Sequence, residues 1–406
     1  MEYGLIGEHL GHSFSREIHG MLSADAYELH EVSREGLDAF MRERNFKAIN
    51  VTIPYKESVI PYLDYISDDA KAIGAVNTIV NRGGRLFGYN TDFEGLKLMA
   101  IRSKVDFTGR HVLILGVGGA AKTAHAVAVS LGAGSITHAA RSPKESDIDI
   151  YSLKKEGNSF NYNIIINATP VGMFPNNAHR VVDINLFPCL EGVLDCIYNP
   201  LQTNLVLDAM ERGIKASGGL YMLVAQAVAA RNWFVGSNLG QTDTDRIYEK
   251  ILTDKRNIVL CGMPSCGKTT IGKELAAKYG REFVDTDALI VERSGMEITQ
   301  IFKEQGEQAF RDMESSVIRD ISVRQGLVIA LGGGAVLRSE NVHNLKMNGR
   351  ISFINRPLDQ LIATSDRPLS SDSEALKALY HKRLPIYKSI ADNIINNDEE
   401  LSNILS

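Results

Sequence analysis

Cysteine is scarce in this chain of 406 residues: four, at positions 189, 196, 261 and 266, with no C-x-x-C pair and no zinc spacing. That pattern argues against a disulfide framework and suits a reducing compartment. Long hydrophobic runs are missing too; none approaches the roughly 20 residues needed to span a bilayer. The N-terminus runs into Tyr3-Gly-Leu-Ile-Gly7 without a basic region or a long apolar core, so no secretory signal is expected. Nor is there an excess of one charge: 44 Lys and Arg stand against 49 Asp and Glu, a formal net charge of -5. Such a balance gives no general pull toward nucleic acid, while local basic pockets for small anions stay open. Together these absences predict a cytoplasmic protein with neither nucleic acid nor membrane as partner.

What is present is an α/β pattern. At about 150 residues per domain the length predicts two or three domains. A composition of 44% hydrophobic and 23% charged residues is ordinary for a soluble globular chain. Two glycine-rich loops of different type divide it. Gly116-Val-Gly-Gly-Ala-Ala121 follows the apolar run His111–Leu115 and opens an alanine-rich helix, the G-x-G-x-x-A arrangement of a dinucleotide-binding turn. Gly262-Met-Pro-Ser-Cys-Gly-Lys-Thr269 follows Asn257–Cys261 and opens a further helix, the arrangement of a phosphate-cradling P-loop. The first implies hydride transfer, the second work on ATP.

Upstream of the first loop, short strands at 3–6, 27–32, 48–53 and 76–80 alternate with helices at 15–23 and 34–44. Asn81-Arg-Gly-Gly84 marks a hairpin turn. From His111 onward, strands at 136–139, 164–166 and 192–196 and a helix at 120–131 follow the alternation of a doubly wound parallel sheet. Helices near 220–234 and 244–252 close the first half, and residues 253–256 read as a short linker. The second half starts again with strands at 257–261, 282–284, 327–330 and 351–354 and helices at 268–279 and through 287–323. A strand end and a terminal helix are expected from Asn393. In the dinucleotide sheet, the second strand ends in Ala139-Ala140-Arg141-Ser142, without the acidic residue that accepts ribose hydroxyls in NAD-binding sheets. Arg141 is placed to receive a 2′-phosphate instead, so NADP is favoured.

In the first half, Gly7-Glu-His-Leu-Gly-His-Ser13-Phe-Ser15, Asn50-Val-Thr-Ile-Pro-Tyr-Lys56, Gly74-Ala-Val-Asn77-Thr and Gly88-Tyr-Asn-Thr-Asp92 occur in order. They are followed by Asn167-Ala-Thr-Pro-Val-Gly-Met173, Asp195-Cys-Ile-Tyr198-Asn-Pro200 and Gly219-Leu-Tyr-Met-Leu-Val-Ala-Gln226. Over residues 1–252 this set resembles shikimate dehydrogenase. The resemblance implies an α/β substrate domain over 1–103, completed by 219–252, facing an NADP-binding Rossmann domain over 104–218 across a cleft. Ser13, Ser15, Thr52, Asn77, Asp92 and Gln226 would hold the hydroxyls and carboxylate of the cyclohexene acid, with Tyr198 nearby. Neutral donors and acceptors suit a small polyol acid, because the wrong ligand leaves them unpaired. Lys56 would donate a proton to the ketone oxygen as hydride reaches its carbon, with Asp92 orienting the ammonium. Gly116, Gly118, Gly119, Ala120, Ala140, Arg141, Ser142 and Gly219 would bind the cofactor. Three departures from the family stand out. Gly20 replaces the Asn that follows the helix His, Ala140-Arg141-Ser142 replaces an Asn-Arg-Thr triplet, and Glu145 stands where a basic residue is expected. The last two predict a smaller margin for NADP over NAD.

The second half resembles shikimate kinase over residues 257–406, through Phe283-Val-Asp285-Thr-Asp287, Gly306-Glu-Gln-Ala-Phe-Arg311-Asp-Met-Glu314, Leu331-Gly-Gly-Gly334, Arg367-Pro-Leu369 and Arg383-Leu-Pro-Ile-Tyr387. The implied fold is an α/β P-loop domain of the nucleoside-monophosphate-kinase type with a moving lid. Pro264, Ser265, Cys266, Gly267, Lys268, Thr269 and Thr270 would cradle the ATP phosphates, with Lys268 spanning β and γ and with Thr269 and Asp285 holding Mg2+. Asp287 would contact the acceptor hydroxyl as base, Arg311 and Arg383 would pair the substrate carboxylate, and Gly333 would bring backbone close to the substrate. Arg367 would come down from the lid onto the transferring phosphoryl group. That lid is short and lacks the arginine expected near Ala363, which predicts weak ATP affinity with little preference for adenine.

Both resemblances converge on one metabolite: reduction of 3-dehydroshikimate with NADPH, then phosphorylation of shikimate by ATP, consecutive steps toward chorismate. Two rivals stay open at this point. The first half would instead oxidise quinate with NAD, against which the missing carboxylate and the Ser13/Ser15 pair weigh. Alternatively, one half is a non-catalytic ligand-binding or regulatory module. Oligomeric state is not legible.

Overall fold

The chain divides into two units, Met1–Ile251 and Leu252–Ser406. The computed structural model describes residues 1–11, 13–144, 147–154, 159–362 and 372–396. The first unit holds two sheets. One runs, among the described residues, in the order Tyr27–Glu31, Tyr3–Gly7, Ala48–Val51, Thr78–Arg82, Arg85–Tyr89, Tyr65–Ile66. Its first three strands are parallel; Thr78–Arg82 returns antiparallel to Ala48–Val51 and forms the expected hairpin with Arg85–Tyr89. Gly83 and Gly84 turn it at φ 62° and 84°, the positive values that match strand twist in a two-residue loop.

The other sheet is parallel throughout, in the order Lys215–Ser217, Gly192–Asp195, Ile164–Asn167, His111–Leu115, Ser135–Ala140, Ile148–Asp149. Val112 to Leu115 and Ile164 to Ile166 are fully buried, as continuous apolar runs in a sheet covered on both faces must be. The chain steps outward on one side of His111–Leu115 and returns on the other at Ile164–Asn167. Ligands of such sheets bind beyond the carboxyl ends of the strands at this reversal. Helix Leu220–Val235 crosses helix Asp92–Arg102 closely: a Cβ on Gly95 would stand 2.5 Å from the Met222 carbonyl oxygen and 3.2 Å from Gln226 Cβ. The glycine thus brings Asp92, one turn earlier, to the same wall as Gln226.

The second unit is built on parallel strands in the order Phe283–Asp285, Val328–Ala330, Asn257–Cys261, Gly349–Ile354, Asn393–Ile395. Three adjacent strands therefore deliver Asp285, the run Gly332 to Gly334 and the P-loop to one edge. Asp285 caps helix Thr286–Ser294, its Oδ1 accepting from the N–H groups of Asp287 and Ala288.

The expected strands and helices are present with ends shifted by a few residues, and some readings need correction. Residues 253–255 are not a linker: they form the last turn of helix Gln241–Lys255, and Arg256 N–H still bonds to Leu252 O. Ser339–Asn348 and Ser373–Ile390 are helices that the expected elements do not include. The second contains Pro385, which ordinarily breaks a helix, yet Leu376, Arg383 and Tyr387 are buried along it. Glu145, Ala363, Arg367 and the expected terminal helix lie outside the described residues. No helix among the described residues is long and apolar enough to cross a membrane.

Candidate active sites

In the first unit Lys56 and Asp92 meet. Lys56 lies in the turn after Ala48–Val51 and Asp92 opens its helix; Nζ donates to Oδ2 at 2.6 Å, with side chains 16% and 8% exposed. So enclosed a pair is little screened by salt. The dinucleotide turn borders it: a Cβ on Gly119, the first residue of helix Gly119–Ser130, would lie 3.4 Å from Lys56 Cβ and 3.5 Å from its Cδ. The anion-attracting helix start and the proton-carrying ammonium share one boundary.

Around this pair the polar groups are neutral. Asn77 Nδ2 donates to Thr91 Oγ1 at 3.0 Å and to Gln226 Oε1 at 3.4 Å, and Asn77 Oδ1 accepts from Thr91 N–H at 2.7 Å. Asn50 supports them, donating to Thr78 Oγ1 at 3.1 Å and accepting from Tyr27 OH at 2.8 Å. Ser13 Oγ donates to Ser15 Oγ at 3.1 Å, and a side-chain bond links Ser13 to Tyr198. Burial pushes the Tyr198 hydroxyl pKa up, with the Ser13 bond opposing. Thr52 stands at the start of the Lys56 turn, its carbonyl accepting from Tyr55 N–H at 2.9 Å. Asn50, Thr91 and Tyr27 join this network without having been among the expected site residues, although Asn50 and Thr91 lie inside the motifs. Behind them His19 stacks on Tyr27 at 3.8 Å; burial, and next the Arg231 charge, lower its pKa to about 3 and keep the ring neutral.

Gly116 turns at φ 116°, where a Cβ would press on the Ala168 carbonyl oxygen at 3.1 Å, and a Cβ on Gly118 would meet open space. Ala120 follows in the first turn of the helix. Ala140 ends its strand, and Arg141 is exposed beside Ser142 just beyond. Gly219 precedes helix Leu220–Val235 and its N–H donates to Ile197 O at 2.7 Å. The open helix start and the exposed Arg141 fit a phosphorylated dinucleotide.

The P-loop of the second unit curls through Ser265 and Gly267 at φ 62° and 96° into helix Lys268–Tyr279. Its Ser265 is unusual, a side-chain-bearing residue in the left-handed region. Pro264 and Cys266 lie in the same curl, and Thr270 follows in the helix. Lys268 is buried and donates across the loop to the carbonyls of Gly262 at 3.0 Å and Met263 at 2.9 Å. Thr269 Oγ1 donates to Asp285 Oδ2 at 2.9 Å, an oxygen pair of the hard type that Mg2+ takes.

Charged groups crowd the other end. Arg311 Nη1 pairs with Glu314 Oε2 at 2.8 Å, and Arg311 Nη2 with Glu307 at 3.2 Å. Arg383 is buried beside them, Nη1 lying 3.1 Å from where a Cβ on Gly333 would stand. Side chains on Gly332 and Gly334 would overlap Asp287 and the Arg311 guanidinium. Tyr387 OH donates to Gly333 O at 2.5 Å, and Gly332 N–H donates to Thr286 Oγ1 at 2.8 Å, fixing the glycine run. Burial pushes the Glu314 carboxyl up to about 7, with Arg311 opposing, and lowers the Arg383 pKa. Glu314, Tyr387 and Thr286 lie within the motifs, which assigned them no role.

Comparison with known proteins gives this geometry relatives. Residues 5–79 match the shikimate dehydrogenase substrate binding domain family, and residues 264–406 match the shikimate kinase family. The shikimate dehydrogenase (NADP(+)) of Clostridium perfringens strain SM101 is 36% identical over 264 residues, covering 61% of this chain and 97% of that protein. The crystal structure of shikimate dehydrogenase 1 from Peptoclostridium difficile is 36% identical with a TM-score of 0.57, covering 62% of this chain and 98% of its own. Shikimate 5-dehydrogenase from Thermus thermophilus, solved with NADP(H) and shikimate, is 26% identical with a TM-score of 0.54, covering 62% and 99%.

Proposed function

Because the chain belongs to the shikimate dehydrogenase family in its first half and carries a shikimate kinase domain in its second, we propose that it performs two consecutive reactions: NADPH-dependent reduction of 3-dehydroshikimate and phosphorylation of the resulting shikimate by ATP. The observation that carries the first is the enclosed Lys56–Asp92 pair at 2.6 Å beside the dinucleotide turn. NADPH, when bound, supplies the hydride. Lys56 Nζ delivers the proton to the carbonyl oxygen, and Asp92 holds the ammonium in line. Asn77, Gln226, Thr52 and the Ser13, Ser15 and Tyr198 cluster fix the ring by its hydroxyls and carboxylate.

In the second unit, the convergence of Arg383 on Gly333 and of Arg311 on the adjacent Gly334 carries the reading, since two buried guanidiniums suit a carboxylate. Asp287 takes the hydroxyl proton, and Lys268 leaves its carbonyl partners for the phosphates. Thr269 and Asp285 would hold Mg2+, which when bound neutralises phosphate oxygens. Arg367, outside the described residues, would add a further cation to the transferring phosphoryl group. Two separate assays test this on the full chain: 3-dehydroshikimate-dependent NADPH loss, and transfer of γ-phosphate from ATP to added shikimate. Absence of either from folded protein refutes the corresponding half.

A further inference from the structure

Asp195 is a buried carboxylate that neither reaction uses. It ends strand Gly192–Asp195, in register with Asn167 on the adjacent strand. Neutral donors converge on it: Asn167 Nδ2 at 3.1 Å from each oxygen, Ile197 N–H at 2.9 Å on Oδ1, and Thr203 Oγ1 at 2.7 Å on Oδ2. Burying a carboxylate is costly even when it is well bonded, and here burial pushes its pKa up to about 6 against those bonds.

What the donors have in common is where they lead. Ile197 directly precedes Tyr198, whose hydroxyl meets Ser13 in the substrate cluster. Ile197 O accepts from Gly219 N–H at 2.7 Å, on the cofactor side. Asn167 Oδ1 accepts from Thr169 N–H at 3.0 Å and Thr169 Oγ1 at 2.7 Å, in the loop whose Ala168 carbonyl lies against Gly116 of the dinucleotide turn. Thr203 closes the Tyr198 loop by capping helix Asn204–Glu211 through Val206 N–H. Between them, the Cys196 thiol feels the charges of both Asp92 and Lys56.

We propose that Asp195 is a positioning residue of the dehydrogenase site, tying the loop that carries Tyr198 to the loop beneath the dinucleotide turn so that substrate and cofactor are held in one register. This rests on the dehydrogenase reading above. The carboxylate is suited to it because every one of its partners donates. In Asp195→Asn the amide nitrogen must face Asn167 Nδ2 and either Ile197 N–H or Thr203 Oγ1; the Thr203 hydroxyl can reverse and accept, but Asn167 Nδ2 cannot, so at least one of the two Asn167 bonds is lost while volume is kept.

The test is a double-mutant cycle on shikimate oxidation in the full-length protein. Asp195→Asn should lower kcat/KM about tenfold to hundredfold, the cost of misplacing a group from a distance. Thr203→Val should fall in the same direction, and Thr203→Ser should restore most of the loss. If Asp195 acts through Tyr198, the Asp195→Asn, Tyr198→Phe double variant is no worse than the weaker single variant. Kinase activity on added shikimate in the same polypeptide should stay unchanged and so normalises each preparation. Additive losses, or a lowered Tm with kcat and KM intact, overturn the proposal. A crystal structure of Asp195→Asn separates this from failure of the dehydrogenase reading, since it needs no turnover. Displacement of Tyr198 from Ser13 supports the positioning role, and an unmoved Ser13–Tyr198 bond overturns it.

Discussion

The two units build their candidate sites from opposite chemistry. In the first, Asn77, Thr91, Gln226, Ser13 and Ser15 form a neutral cradle around one ion pair, Lys56–Asp92. In the second, Arg311, Arg383, Glu314, Asp287 and Lys268 put charge on nearly every wall, with glycines leaving room for it. Hydride transfer to a ketone creates one alkoxide that one proton donor quenches. Phosphoryl transfer must neutralise a highly charged donor and hold a carboxylate at once, and that calls for several cations. On the proposed reactions, the chemistry performed, more than the ligand, sets the polarity of the cradle.

The largest expected break in this contrast is Lys56→Ala. With one proton mover in a neutral cradle, reduction should fall by about 10²–10⁴-fold while phosphorylation of added shikimate is untouched. Loss of the kinase activity in folded protein would contradict the separation of the two sites.

Next is the stability of the charged cradle. Arg311→Met leaves Glu314 buried without its partner, expected to destabilise the second unit by about 3–5 kcal/mol. Asn77→Ala in the neutral cradle should cost about 1–3 kcal/mol. Denaturant titration that resolves both units measures the two, and equal losses would erase the distinction.

Much of this contrast was legible in the sequence, because the glycine-rich loops and short polar motifs are local and their order is fixed by strand succession. Lys56 and Asp92 lie 2.6 Å apart as those motifs imply. What was not legible is instructive. The helix Ser373–Ile390 was hidden by Pro385, whose local penalty is overridden by burial of its Arg383 and Tyr387 face. The polar run at 253–255 looked like a linker because amphipathicity fades there, yet helical hydrogen bonding persists. Asp195 and Glu314 sit inside the recognised motifs, but which partners a buried carboxylate gathers depends on contacts between strands, not on spacing along the chain.

Acidification should separate the units in opposite directions. Burial depresses the His19 pKa to about 3, below its unfolded value of 6.5, so the stability tied to its neutral ring is full above 6.5 and is lost as pH falls toward 3. Glu314 is raised from 4.5 to about 7, so its contribution is full below 4.5 and is lost as pH rises through 7. Each slope is limited to about 1.4 kcal/mol per pH unit. His19→Phe should flatten the acid-side loss in the first unit, and Glu314→Gln the alkaline-side loss in the second. A wild-type slope retained in either variant would assign the titration elsewhere.

The smallest effect is expected at the exposed Arg141, where Arg141→Ala should reduce the preference for NADP over NAD by about 1–2 kcal/mol in kcat/KM. Equal use of both cofactors by the wild type would remove the 2′-phosphate assignment.

The most direct measurement follows both reactions at once in a single preparation given 3-dehydroshikimate, NADPH and Mg-ATP. NADPH should be lost first, with phosphorylated product then approaching one equivalent per NADPH oxidised. Without ATP, shikimate should accumulate instead. NADPH oxidation that yields a product the same chain does not phosphorylate would contradict the claim that its two cradles serve one metabolite.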